Sequence, residues 1–182
     1  MNLYIMRHGT TIWNEKKIIQ GRSNNRLSKN GIIATEEVSK EKINTKFDVI
    51  YVSPLMRTMQ TANIMNKYHN VKIIKDERLI EIEQGIFTGR LKSSLSTEEL
   101  ILKNQKSSDC GMESYDKVYN RVKDFLADIK ENCKYQNVLI IAHNIIATFL
   151  DYIILNHKVD YTKRENLCNF DNNEIRLRVI AN

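Results

Sequence analysis

Val138-Leu139-Ile140-Ile141-Ala142 is apolar at every position and stops at His143. A strand with one wet face alternates apolar and polar residues, so an unbroken run must be covered on both faces. Such a strand belongs inside a parallel sheet with helices above and below it. The chain supplies partners for it in Leu3-Tyr4-Ile5-Met6, Phe47-Asp48-Val49-Ile50-Tyr51-Val52 and Val71-Lys72-Ile73-Ile74. Stretches of helical periodicity separate these runs. One opens at an N-cap, Ser28, and extends to about Asn44 with Ile32, Val38 and Ile43 inward. A second opens at Ser53-Pro54, a cap followed by proline at the first helical position, and places Leu55, Met59 and Ala62 on one stripe. Ser96-Thr97-Glu98-Glu99 is a capping box that opens a short helix. Ser114 starts a long one carrying Val118, Val122, Phe125, Leu126 and Ile129, and a last helix runs from His143 to about Asn156. Thr11 to Arg26 reads as polar and irregular. Leu167–Phe170 and Ile175, Leu177 and Val179 read as an edge hairpin turning at Asp171-Asn172. Strands alternating with helices predict an α/β fold, a three-layer α/β/α sandwich with a mainly parallel central sheet. No repeat or linker divides the 182 residues, so one domain spanning 1–182 is expected, with 90–111 as a short lid insertion.

The net charge of +6 favours acidic partners. The basic residues are scattered rather than blocked, which argues against nucleic acid and for a small anion. Cys110, Cys133 and Cys168 are widely spaced with no C-x-x-C, so reduced thiols are expected rather than a disulfide framework or a zinc site. No apolar stretch reaches the length of a membrane span, and the amino terminus lacks the basic region of a signal peptide. A cytoplasmic protein is expected, with no membrane partner; monomer and homodimer remain equally open.

Functional groups recur where apolar strands stop. His8 follows Arg7 at the end of the first run, and His143 follows the run that ends at Ala142. Arg57 lies in the first turn of the helix after the second run, and Glu81 lies just beyond the third. Taken singly, each has an ordinary reading: a histidine bonded to backbone, an arginine in an ion pair, a solvated glutamate. His69 and His157, near helix ends in polar company, keep that reading. Parallel strands, however, present their carboxyl ends along one edge, where open α/β sheets bind ligands. Two imidazoles, two guanidiniums and a carboxylate on that edge suit phosphoryl transfer. The arginines neutralise and fix a phosphate ester while His143 donates to an equatorial oxygen. A neutral imidazole attacks phosphorus in line, and a protonated Glu81 supplies the leaving alkoxide with its proton. Nothing in this scheme requires a metal or a cofactor, and no cluster with metal-ligand spacing is present.

These motifs resemble the histidine phosphatase superfamily, also called phosphoglycerate mutase-like. Arg7-His8-Gly9-x-Thr11 with Trp13-Asn14, then Gln20-Gly21 and Leu27-Ser28-x-x-Gly31, match its opening blocks. Ser53-Pro54-Leu55-x-Arg57-x-x-Gln60-Thr61-Ala62, Leu79-x-Glu81-Ile82-x-x-Gly85-x-Phe87-x-Gly89, Glu113-Ser114 and Ala142-His143-Asn144 follow in the family's order. The resemblance implies a metal-free α/β/α sandwich in which His8 is the phosphorylated nucleophile and Glu81 the proton donor. Arg7, Asn14, Gln20, Gly21, Arg57, His143 and Asn144 are then phosphate- or substrate-binding. Asn24 and Arg26 stand where many relatives have Asp and Pro, and Met112 where Gly is usual. Family members differ in what receives the phosphoryl group. A mutase shields phosphohistidine with a long basic insertion; here residues 90–111 are short and lack an adjacent arginine pair. Water is therefore the expected acceptor and a small phosphorylated metabolite the expected substrate, with mutase-type transfer as the alternative and a non-catalytic phosphate binder behind it. Lys92 sits in Gly89-Arg90-Leu91-Lys92, which is similar to a mutase Gly-Leu-x-Lys, but reads here as a solvated lid charge.

Overall fold

β4 (Asn137–Ala142) lies at the centre of a five-stranded sheet, between β1 (Asn2–Arg7) and β2 (Val49–Val52) and parallel to both. β3 (Lys72–Lys75) extends the sheet in parallel beyond β2, and β5 (Ile175–Val179) closes the other side antiparallel to β1. This computed structural model describes residues 1–106, 108–156, 160 and 168–180. Its helices are α1 (Ile12–Glu15), α2 (Lys29–Glu41), α3 (Met56–Met65), α4 (Thr97–Gln105), α5 (Tyr115–Asn132) and α6 (Asn144–Ile154).

The unbroken apolar run of β4 is explained by its two faces. Val138, Ile140 and Ala142 pack with Val118, Val122, Phe125, Ile146 and Phe149 of α5 and α6. Leu139 and Ile141 point the other way, with Ile50, Val52, Ala62 and Met65. α2 packs beside α3 on that second face, its Ser39 hydroxyl donating to the Ile64 carbonyl (3.0 Å). The result is the expected α/β/α sandwich. Ser28 and Ser114 cap α2 and α5 as expected, and Ser96 with Glu99 forms the capping box of α4.

Four local expectations need correction. α3 begins at Met56 with Leu55 as its N-cap, two residues later than Ser53-Pro54 suggested, because the Ser53 hydroxyl is bound to His143 instead. The buried stripe of α2 is Gly31, Thr35 and Ser39, while Ile43 lies past the helix end and is exposed. Small residues are needed there: a Cβ at Gly31 would collide with the Thr10 carbonyl. The polar stretch after β1 contains α1, capped by Thr11 and Asn14. Finally, β5 is an edge strand, but it pairs with β1 rather than with the segment before it. Residues 168–170 bind α6 instead: the Cys168 carbonyl accepts from Thr148 (2.9 Å) and the Phe170 N–H donates to Asn144 Oδ1 (3.0 Å). Leu167 and His157 lie outside the described residues.

Among the described residues no helix is long and apolar enough to cross a membrane.

Candidate active site

Register brings the strand ends together. Arg7 is paired with Ala142 and Val52 with Ile141, so residues 8, 53 and 143 leave the sheet side by side. The His8 N–H donates to the Ala142 carbonyl (3.0 Å), extending the ladder by one residue. The His8 ring is buried, and its Nδ1 lies 2.7 Å from the Gly9 carbonyl. A carbonyl can only accept, so Nδ1 carries the hydrogen and Nε2 keeps its lone pair. Burial, reinforced by the Arg57 and Arg7 charges, holds its pKa well below the ordinary 6.5, so the ring is neutral.

His143 is fully buried, its ring centroid 5.2 Å from that of His8. Arg57 Nε donates to His143 Nδ1 (3.1 Å), so the His143 proton sits on Nε2, 2.7 Å from Ser53 Oγ. Burial, then Arg57, lowers its pKa far below the ordinary value. Arg57 is itself only 1% exposed, and its other groups donate to the carbonyls of Ser23 (2.7 Å) and Gly21 (2.9 Å). Burial lowers even this guanidinium to about 10, which still leaves it charged near neutrality. Arg7 Nη1 donates to the Phe170 carbonyl (2.6 Å).

Beside this group opens a cleft of about 220 Å³ lined by Arg7, Asn14, Gln20, Gly21, Glu81 and Asn144, among others. His8, Arg57 and His143 are not part of that lining; all three are buried. Glu81 is partly buried, its Oε1 accepting from the Ile82 N–H (3.0 Å). Burial raises its pKa, against the opposing pull of that N–H and of Arg57, Arg7 and Arg121. Asn14 caps α1 with its Oδ1, which accepts from the Thr11 N–H (3.0 Å). Gln20 Oε1 lies 3.0 Å from the Thr11 hydroxyl oxygen. The side chain of Asn144 is spent on the carboxy-terminal segment, bonded to Asn169 (2.9 Å) and Phe170 (3.0 Å). What this position offers an anion is its main-chain N–H at the first position of α6.

The sequence reading missed two groups of residues. Arg22 donates through Nε to the Glu81 carbonyl (3.0 Å) and through Nη2 to Glu113 (3.0 Å). Glu113 in turn is held bidentate by Arg121 (3.0 Å for each bond). The loop carrying Glu81 is thus clamped to the start of α5. The second group is Gln84, Lys103, Asn104, Lys106 and Tyr115, which line the cleft together with Lys92. Lys92 is exposed, as expected of a lid charge, but it stands on the cleft. The spacing of Lys103 and Lys106 at a helix end is a weak signal, because charge alone does not separate a cleft wall from a solvated face. Among the described residues, no group of three or more His, Cys, Asp or Glu side chains is placed to hold a metal ion.

A model of the histidine phosphatase superfamily (branch 1) matches residues 3–178. Phosphoserine phosphatase 1 of Hydrogenobacter thermophilus is 31% identical over 151 residues, covering 80% of this chain and 72% of that protein. The alpha-ribazole phosphatase of Shigella flexneri has the same fold, with a TM-score of 0.88 at 21% identity over 100% of this chain and 91% of that one. A phosphoglycerate mutase of Bacillus anthracis also shares it, at a TM-score of 0.79 and 21% identity over 97% and 86% of the two chains.

Proposed function

The chain belongs to the histidine phosphatase superfamily, branch 1, and we propose that it hydrolyses phosphomonoesters of small metabolites through a phosphohistidine formed on His8. One observation carries the assignment: a neutral imidazole with its Nε2 lone pair uncommitted, buried next to the charged Arg7 and Arg57. The arginines draw in the phosphoryl dianion and offset the charge that would repel a nucleophile.

In the first half-reaction His8 Nε2 attacks phosphorus, the bond from phosphorus to the ester oxygen breaks, and Glu81 gives its proton to the departing alkoxide. Burial raises the Glu81 pKa, which favours the protonated form this step uses, and general acid catalysis of this kind contributes about 10²–10⁴-fold. In the second, water attacks the phosphohistidine, Glu81 takes back the proton, and inorganic phosphate leaves with His8 neutral again. His143, expected from the sequence to donate to a phosphoryl oxygen, instead orients Arg57: its Nδ1 accepts the Arg57 Nε–H while its own proton sits on Nε2 beside Ser53. Asn14, Gln20, the Gly21 backbone and the Asn144 N–H complete the cradle.

The direct assay is turnover of p-nitrophenyl phosphate with no metal added, unaffected by a chelator. Absence of turnover there and on a panel of phosphorylated metabolites would leave a phosphate-binding protein as the better account. Isomerisation of bisphosphoglycerate-primed 3-phosphoglycerate faster than phosphate release would make the chain a mutase.

A further inference from the structure

The sheet ends in two edge strands, and they are finished differently. β3 carries a lysine at each end, Lys72 and Lys75, and both are exposed. Charges placed this way keep an edge from adding another strand. β5 has two arginines, but neither guards its edge. Arg176 and Arg178 turn onto α6, where both bind Asp151 (3.1 Å and 3.0 Å), and Arg176 also binds Glu174 (2.6 Å). The exposed side chains of β5 are apolar instead, Leu177 at 46% and Val179 at 71%. They alternate with the arginines and so lie on the face of the sheet where Ile175 joins the core.

The backbone of this strand is open along the same edge. Met1 and Ile180 exchange both main-chain bonds (2.9 Å and 3.0 Å), and the Arg7 N–H donates to the Glu174 carbonyl (3.2 Å). An antiparallel ladder bonds alternate residues, so 174, 176, 178 and 180 face β1. Ile175, Leu177 and Val179 therefore direct their N–H and C=O groups outward. The Leu177 carbonyl accepts from Arg178 Nη1 (2.9 Å), which leaves it a second lone pair. Charge narrows the choice of occupant. Arg176 and Arg178 cancel against Glu174 and Asp151, on a chain whose net charge is +6. A partner drawn by charge finds nothing here to draw it, whereas this edge is its own complement. About a two-fold axis at Leu177, residue 175 meets 179 and 177 meets 177, each N–H opposite a carbonyl. Arg176 then stands across from the second copy's Arg178, each already held by carboxylates of its own chain.

We propose that β5 is a dimerisation edge: two copies of this chain join antiparallel through Ile175–Val179, and their five-stranded sheets become one continuous sheet.

Light scattering across a dilution series should give twice the chain mass at the concentrated end. Leu177→Lys and Val179→Lys each give β5 the kind of charge that β3 already carries. Both variants should show the single-chain mass throughout, with circular dichroism unchanged. Amide exchange read by NMR on the native chain locates the contact without relying on a variant. The Leu177 and Val179 N–H groups should exchange as slowly as those of Arg176 and Arg178, and Leu177 at least about 10-fold more slowly than in Val179→Lys. A single-chain mass at every concentration overturns the proposal and leaves the edge to another protein or to none. So does a dimer that persists in both lysine variants, or one in which the Leu177 and Val179 N–H groups exchange freely.

Discussion

Burial acts on His8 and Glu81 in the same way and yields opposite tools. In each it disfavours the charged form, favouring an unprotonated base at His8 and shifting Glu81 towards its protonated, acid form. The two residues can therefore be separated by leaving group. Glu81→Gln should slow alkyl phosphates by about 10²-fold or more, yet slow p-nitrophenyl phosphate far less, because nitrophenolate leaves without a proton. For the native enzyme, activity on alkyl phosphates should fall as pH rises through the elevated Glu81 pKa, and p-nitrophenyl phosphate should lack that limb. Equal losses on both substrates would take Glu81 out of the acid role. These residues were legible in the sequence because each stands where an apolar run or the loop after it ends. Their partners were less so. Nothing local in Ser53-Pro54 says that the serine hydroxyl serves a histidine ninety positions away rather than a helix N-terminus.

Among the elements, the loop bearing Glu81 is held by side chains from two other parts of the chain, Arg22 and the Glu113–Arg121 pair. Glu113 also neutralises guanidiniums that would otherwise stabilise the Glu81 carboxylate; Arg121 already pulls in that direction. Glu113→Gln should therefore lower the Glu81 pKa and move the alkaline limb for alkyl phosphates to lower pH. The loss of stability should be about 1–3 kcal/mol, below that for breaking a fully buried pair, since Arg22 is half-exposed. An unmoved pH profile in a folded variant would show that the clamp serves the loop's stability alone. Periodicity served best for α5, where all five residues expected inward are buried and Tyr115 joins them. It did not serve for α2, because the buried stripe there is Gly31, Thr35 and Ser39, which a hydrophobic pattern passes over. β5 shows a related limit: alternation identifies a strand but does not name its partner, and the open edge of β1 took it.

For the molecule as a whole, burying two histidines at the sheet edge couples the candidate site to acid stability. His8 and His143 are neutral when folded and titrate near 6.5 when unfolded, so below that value the unfolded state binds more protons. Stability conferred by the depressed pKa values is present above about 6.5 and is lost as pH falls, at up to about 1.4 kcal/mol per pH unit for each histidine. Denaturant titrations at about pH 7 and about pH 5 should show the drop, and His8→Gln should flatten part of it. A slope identical in the variant would mean that other groups set it. Glu81 contributes with the opposite sign, favouring the folded state at low pH and opposing it as pH rises above the unfolded carboxyl value. The sandwich itself was legible from the alternation of strands and helices. The composition of the cleft wall was not, because nothing local in the sequence says that Lys92, Lys103, Asn104 and Lys106 come to line the same cleft as Arg7 and Glu81. The central claim is a covalent one, and it is tested most directly by mixing the protein with a labelled phosphomonoester, quenching in alkali within the first turnover, and locating the label by peptide mass spectrometry. The account predicts one phosphoryl group on His8, stable to alkali and lost in acid; a label on any other residue, or none while phosphate is being released, would contradict it.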